Sequence, residues 1–232
     1  MKKIIQKVLP GPIKRKLYHL ALAWIRENNK QKSKRIPKHN LEKKHIENSK
    51  LLSNRKDLLE LLPKHGVIAE LGVDEGNFSE AILTISNPKK LHLIDFWGSE
   101  RYNQNKRKGV EDKFKHQIEN GRIEINIGLS TDAVKEFQDN YFDWIYIDTS
   151  HSYKTTIEEL EAYRLKIKDN GIIAGHDYII GNWNDMVRYG VIEAVSEFCL
   201  KYDWEIIYLT VELDNNPSFA IRKINTGYKK TT

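Results

Sequence analysis

The chain has 232 residues, with 38 Lys and Arg, 32 Asp and Glu, and a single cysteine. That length suffices for one well-buried domain with appendages, and its 40% hydrophobic content is near that of an ordinary globular protein. A lone cysteine excludes an internal disulfide framework and a cysteine-built zinc cluster; Cys199, within AVSEFCL, reads as a small buried apolar residue.

The net charge of +6 conceals a division. Residues 1–50 carry 15 Lys and Arg against 3 Glu, a net of +12; the rest carries 23 basic and 29 acidic residues, a net of −6. Such an arm suits anionic lipid, nucleic acid, an acidic partner, or plain solvation. Tyr18, Trp24 and the leucines among its cations fit an amphipathic helix at a membrane interface. The opening MKKIIQKVLPGPIKRKLYHL lacks the cleavage site of a secretory signal. The apolar run 20–25 falls far short of the ~20 residues that span a bilayer. A cytoplasmic location is expected, with peripheral membrane contact through the arm as the alternative.

Residues 27–50, rich in Lys, Asn and Ser with Pro37, read as a linker or loose helix. The chain therefore divides into a basic arm and linker, 1–50, and a domain over 51–232. LLSNRKDLLELLP repeats leucine at helical spacing up to Pro63; GVIAELG (66–72) reads as a buried strand and NFSEAILTIS (77–86) as a helix. KLHLIDFWG is a second strand closing on Asp95, followed by a polar helix over 107–120, a strand over 122–128 and a helix over 131–138. YFDWIYID (141–148) is the next strand, and YKTTIEELEAYRLKI (153–167) a helix with its glutamates on the exposed face. NGIIAGHD (170–177) is turn and strand, 191–202 a helix, and 204–210 and 217–223 two successive strands. This alternation predicts an α/β fold: a Rossmann-like, doubly wound, mostly parallel seven-stranded sheet with an antiparallel C-terminal edge hairpin.

In such sheets ligands bind beyond the carboxyl ends of the strands, and here those ends are polar. In AELGVDEGNFS, Gly72 and Gly76 permit a tight turn, while Glu70 and Asp74 make the loop acidic. A diphosphate does not suit two carboxylates; a cationic or zwitterionic ligand does. Asp95, 23 residues after Gly72, is placed to accept hydrogen bonds from ribose hydroxyls. Asp148, His151, His176 and Asp177 sit at the ends of the strands that follow. Structural alternatives remain for three of them: Asp148 as a helix cap, His151 ordering its loop, Asp177 serving a turn.

Together, ELGVDEGNFS, LIDFW, FDWIYIDTSHSY and GIIAGHDY, in that order over residues 60–223, resemble class I S-adenosylmethionine-dependent methyltransferases. They are most similar to the branch of macrocin-type sugar O-methyltransferases, with its Asp-x-x-His-Ser-Tyr and His-Asp motifs. The resemblance implies that Glu70, Gly72, Asp74, Gly76 and Asn77 form the methionine-side loop. It places Asp95 and Phe96 on the ribose side and Ser130 by the adenine. The acidic loop then answers a sulfonium and an ammonium.

The resemblance also implies a divalent cation, Mg²⁺ in the related enzymes, held by Asp148 and Asp177 with His176 in the remaining ligand position, and His151 as general base. Methyl transfer needs an oxygen nucleophile in line with the methyl, within about 3–3.5 Å. A cation stabilises the developing alkoxide, and a histidine of near-neutral pKa takes the proton. His176 departs from the expected hard oxygen ligand: either it points away, or the metal is not Mg²⁺, or no metal binds. Residues 175–191, with Tyr, Trp, Asn and Arg188, form the expected substrate-facing segment.

The function implied is methylation of a hydroxyl on a sugar or glycosylated small molecule, for glycan biosynthesis, with self-association and no nucleic-acid partner. A nicotinamide-dependent oxidoreductase would need Gly-x-Gly-x-x-Gly, which GVDEGNFS does not supply. A non-enzymatic module binding nucleic acid or membrane would place all affinity in residues 1–50.

Overall fold

The computed structural model describes residues 10–182, 186–213 and 215–224. Helix α1 (Gly11–Arg35) and a 3-10 turn (Lys43–His45) lead into strand β1 (Lys50–Leu52). Next come α2 (Arg55–Leu61), β2 (Val67–Leu71), α3 (Asn77–Ala81) with a π turn (Ile82–Ser86), and β3 (Lys90–Asp95). Helices α4 (Gln104–Lys113) and α5 (Lys115–Glu119), strand β4 (Ile123–Ile127) and α6 (Ser130–Ala133) precede β5 (Phe142–Ile147). Then follow α7 (Tyr153–Arg164), β6 (Ile167–Gly175), a small hairpin of β7 (Gly181–Asn182) and β8 (Val187–Arg188), α8 (Val191–Tyr202), β9 (Trp204–Thr210) and β10 (Phe219–Lys223).

The main sheet runs β1-β9-β10-β6-β5-β2-β3-β4. Its central strands are parallel, and β10 is antiparallel to both β6 and β9. The Rossmann-like doubly wound fold is therefore present, with eight strands where seven were expected. The additional strand is β1, which pairs parallel to β9 through Lys50↔Tyr208 to Leu52↔Thr210. The C-terminal hairpin is antiparallel as expected, but it does not form the sheet edge: β10 lies inside, and β1 covers β9. Leu51 and Leu52 read as the start of a leucine-spaced helix, yet Asn54 caps that helix, accepting from the Lys56 and Asp57 amides at 2.8 and 3.1 Å. The residues before the cap are thereby free to complete the exposed edge of β9. The expected boundary at residue 50 falls inside β1. The segment read as linker or loose helix is helical as far as Arg35.

Each central strand is apolar on both faces because helices cover both. Ile145, Ile147 and Ile173 pack with Leu160, Tyr163, Val195 and Phe198 of α7 and α8. Trp144, Tyr146 and Ala174 point the other way, against Leu58, Phe78, Ile82 and Phe114. The chain order reverses between β2 and β5, which are neighbours in the sheet. A cleft opens above that switch point, as the topology requires.

Candidate active site

The strand ends are stitched together by the backbone. The Asp148 amide donates to Leu71 O at 2.7 Å, Gly72 N to Ile94 O at 2.9 Å, and His176 N to Ile147 O at 2.9 Å. Gly72 has φ +87°, and a Cβ there would lie 2.0 Å from Asp148 O, so only glycine lets the β2 and β5 loops meet. The cleft above them encloses about 700 Å³, a volume suited to a nucleoside-sized ligand. Glu70, Gly72, Asp74, Asn77, Asp95, Phe96 and Ser130 all line it. Gly76 stands behind, at φ +69°, where a Cβ would meet the Phe114 ring at 2.8 Å.

Asp95 organises the glycine loop. Its Oδ2 accepts from the Val73 and Asp74 amides at 2.8 and 3.0 Å, and its Oδ1 from Trp97 N at 3.0 Å. A carboxylate has about four acceptor positions, so one remains for a ligand hydroxyl. Glu70 is buried and accepts a short hydrogen bond from Ser79 Oγ; burial pushes its carboxyl up to about 8. Asp74 receives Lys106 Nζ at 2.5 Å, and the same lysine lies 3.2 Å from Glu75, so the outer carboxylates of the loop are already answered.

Ser130, expected by the adenine, donates a short hydrogen bond to Glu159, which also accepts from Thr149 Oγ1 at 2.8 and 2.9 Å. The reading of α7 as carrying its glutamates outward is corrected at this position: Glu159 is fully buried. Thr156, Glu159, Leu160 and Tyr163 are the buried residues of α7, at i, i+3, i+4 and i+7. That spacing was visible in the sequence, but a glutamate on an inward stripe is read outward unless a partner is known. Arg55 also lines the cleft and was not anticipated.

Asp148 lines the cleft as well, and it does not cap the following helix; Ser152 does, accepting from Thr155 N at 3.1 Å. His151 Nδ1 lies 2.5 Å from Asp177 Oδ2, and its ring packs on Tyr189 with centroids 4.5 Å apart. Asp177 adopts φ +59°, and its other oxygen accepts from Asn216 Nδ2 at 2.5 Å. Burial works against the charge of Asp177, yet hydrogen bonds from His151 and His176 hold its carboxyl far below the ordinary range. Burial, with Asp177 adding to it, raises the Asp148 carboxyl against the pull of His176 and His151. His176 is buried, with Nδ1 3.4 Å from Asp177 Oδ1 and 3.7 Å from Asp148 Oδ2; its Nε2 is buried without a partner. Those two carboxylates outweigh desolvation and raise its pKa.

Among the described residues, the donor atoms that converge as a cation site are those of Asp148, His151 and Asp177, all within 4.8 Å of one another. His151 thus takes the place in that cluster where His176 was expected. Two carboxylates and an imidazole are a donor set acceptable to a divalent ion. Ligands at right angles on an ion ~2.1 Å away lie ~3 Å apart; the 2.5 Å His151–Asp177 contact is that of a hydrogen bond.

Of the expected substrate segment, residues 183–185 lie outside the described residues. Arg188 is committed to structure: it pairs with Glu193, donates to Ile180 O at 2.9 Å, and reaches Ser33 Oγ at 3.1 Å. Trp97 is buried with its indole on Asp74 O at 3.0 Å, and Tyr102 lines the cleft.

A glycine loop after the first central strand, a carboxylate after the second, and a cleft at the switch point define a class I S-adenosylmethionine-dependent methyltransferase. Residues 69–178 match the Methyltransf_24 family model, described as a methyltransferase domain, and the chain is an S-adenosylmethionine-dependent methyltransferase. No curated protein matches it. Its fold is similar to that of the B. subtilis tRNA methyltransferase TrmK, with a TM-score of 0.54 and 13% identity over 75% of this chain and 67% of that one. It is also similar to a SAM-dependent methyltransferase from Aquifex aeolicus, with a TM-score of 0.54 and 12% identity over 73% and 89% of the chains. A Corynebacterium glutamicum protein gives 0.55 and 11% identity over 90% and 92%.

Proposed function

We propose that the protein methylates a hydroxyl of a sugar or glycosylated small molecule, with His151 as general base. The observation that carries this reading is the His151–Asp177 pair clustered with Asp148, which itself lines the cofactor cleft. With Nδ1–H donated to Asp177, the Nε2 lone pair is left to take a proton from an acceptor hydroxyl. A sugar hydroxyl needs such a base, because it attacks a sulfonium methyl poorly while protonated. Macrocin-type O-methyltransferases offer the same Asp-x-x-His-Ser-Tyr pattern, which supports a sugar acceptor.

In this reading Glu70, Gly72, Asp74 and Asn77 take the methionine end of the cofactor, with Gly76 shaping the loop. Asp95 and Phe96 take the ribose, and Ser130 borders the adenine. A divalent ion, where one binds, would be held by Asp148, His151 and Asp177, with His176 behind them, and would supply Lewis-acid stabilisation of the acceptor oxygen. An ion on His151 Nδ1 would displace its hydrogen bond to Asp177, so metal dependence and a metal-free base are distinguishable. The net charge of −6 over residues 51–232 disfavours a nucleic-acid acceptor.

The test is methyl transfer from labelled S-adenosylmethionine to a panel of sugars and glycosides, with and without chelator. The His151→Ala variant should bind S-adenosylhomocysteine normally and lose turnover by ~10²–10⁴-fold. Undiminished turnover removes His151 from the base role; chelator-sensitive turnover favours the metal.

A further inference from the structure

The cleft has an unusual charge inventory. Seven Asp and Glu side chains line it among the described residues, and Arg55 is its one Lys or Arg. Lysines at the rim are already paired, as Lys106 is with Asp74 and Glu75. Arg55 takes no carboxylate partner in an ion pair among the described residues. Its guanidinium stacks over the Phe78 ring at 4.6 Å and is close enough to influence the ionisation of Glu70, Tyr146 and Asp148. The Asn54 cap places it at the first position of α2, and Phe78 follows the acidic loop directly in α3.

Resting on the cofactor reading above, we propose that Arg55 is the anchor for the α-carboxylate of S-adenosylmethionine. The cofactor carries one anionic group and two cationic ones, and this cleft matches that inventory. A guanidinium offers a planar pair of N–H donors for bidentate carboxylate binding, and the Phe78 face keeps it oriented. Arg55 thereby selects for the whole amino-acid end of the cofactor, which the acidic loop alone does not do.

The experiment compares binding of S-adenosylmethionine and its decarboxylated form, which lacks only the carboxylate, by calorimetry. Wild-type protein should prefer the complete cofactor by about 10- to 100-fold. Arg55→Met, which keeps the apolar stem over Phe78, should bring that ratio near one by weakening only the complete cofactor, and Arg55→Lys should restore part of it. An unchanged ratio in Arg55→Met overturns the assignment, as does equal weakening of both ligands, which would mark a packing role. Failure of both ligands to bind wild-type protein would instead overturn the cofactor reading.

A separate observation concerns α1. Ile13, Leu17, Leu20 and Trp24 are 47, 49, 58 and 69% exposed, and their 4-3-4 spacing puts them on one stripe. No residue of this helix is buried, and side-chain hydrogen bonds tie its later part to the domain: Asn29 donates to Met186 O at 2.8 Å, and Ser33 Oγ accepts from Arg188 Nε at 3.1 Å. The helix holds eight Lys and Arg against Glu27 alone. We infer that α1 lays this stripe on an anionic bilayer surface, its cations on the headgroups. A second copy would bring like charges together, and a nucleic acid would leave the stripe unused.

Wild-type protein should sediment with vesicles containing phosphatidylglycerol and not with pure phosphatidylcholine. Leu17→Glu with Leu20→Glu should weaken that binding at least tenfold while leaving S-adenosylhomocysteine affinity unchanged. Absence of vesicle binding overturns the inference. So does full binding by the double variant, or a dimer in ultracentrifugation that the double variant dissolves.

Discussion

At the scale of single residues, the site works by pairing groups that would be costly alone. Asp177 supports His151 on one oxygen and accepts Asn216 on the other, so the imidazole is held in one orientation. Glu159 is a different case, a buried carboxyl pushed up to about 7 by desolvation although Ser130 and Thr149 donate to it. A carboxyl with a raised folded-state pKa binds its proton more tightly in the fold than in the open chain. Its contribution is therefore fully present below about 4.5 and declines as pH rises to about 7. Over that window the cost relative to a neutral isostere amounts to ~3 kcal/mol at most. Glu159→Gln, which still accepts from both hydroxyls, should match wild type at pH 4.5 and exceed it at pH 8. Urea unfolding of both proteins at the two pH values measures the difference, in which titrations shared by both cancel.

At the scale of elements, the strand ends form one surface because their loops approach at backbone distance. Gly72 follows β2 directly and Asp148 follows β5, and a methyl group at Gly72 would strike Asp148 O. Gly72→Ala should cost upward of ~2 kcal/mol, combining strain at positive φ with overpacking. It should also weaken S-adenosylhomocysteine binding, because Asp148 and the glycine loop must separate. Thermal unfolding and calorimetric titration check the two effects. The parallel core was legible because each strand reads as an apolar run closed by a polar residue. The eighth strand was not, since three residues declare a strand only when β9 supplies a partner edge. The inward glutamate of α7 and the arginine of α2 were missed for a related reason. A helix presents both to the cleft, and a helix's inward face depends on what packs beside it.

At the scale of the whole molecule, the chain joins a cofactor-binding sheet to a basic helix docked on the β7–β8 hairpin. That hairpin leads into Tyr189, which stacks on His151, so the arm contacts the segment flanking the proposed base. Among the described residues no helix is long and apolar enough to cross a membrane. A ligand bound at the centre of the domain stabilises all of it. S-adenosylhomocysteine at 100 times its dissociation constant should add ~2.7 kcal/mol and raise the melting temperature by roughly 5–10 °C. A shift below a degree at that concentration would mean that S-adenosylhomocysteine does not bind the folded state selectively.

The sequence by itself determined the order of strands and helices, the glycine loop, and the acids and histidines at the strand ends. Those are local facts, written in hydrophobic period and in the residues that punctuate it. Only the tertiary structure decided which of them share a cavity. It brought His151, and not His176 alone, into the carboxylate cluster, turned Glu159 inward onto Ser130, and set Arg55 among the acids. Each of these depends on the angle at which a helix or loop crosses the sheet, and long-range packing sets that angle.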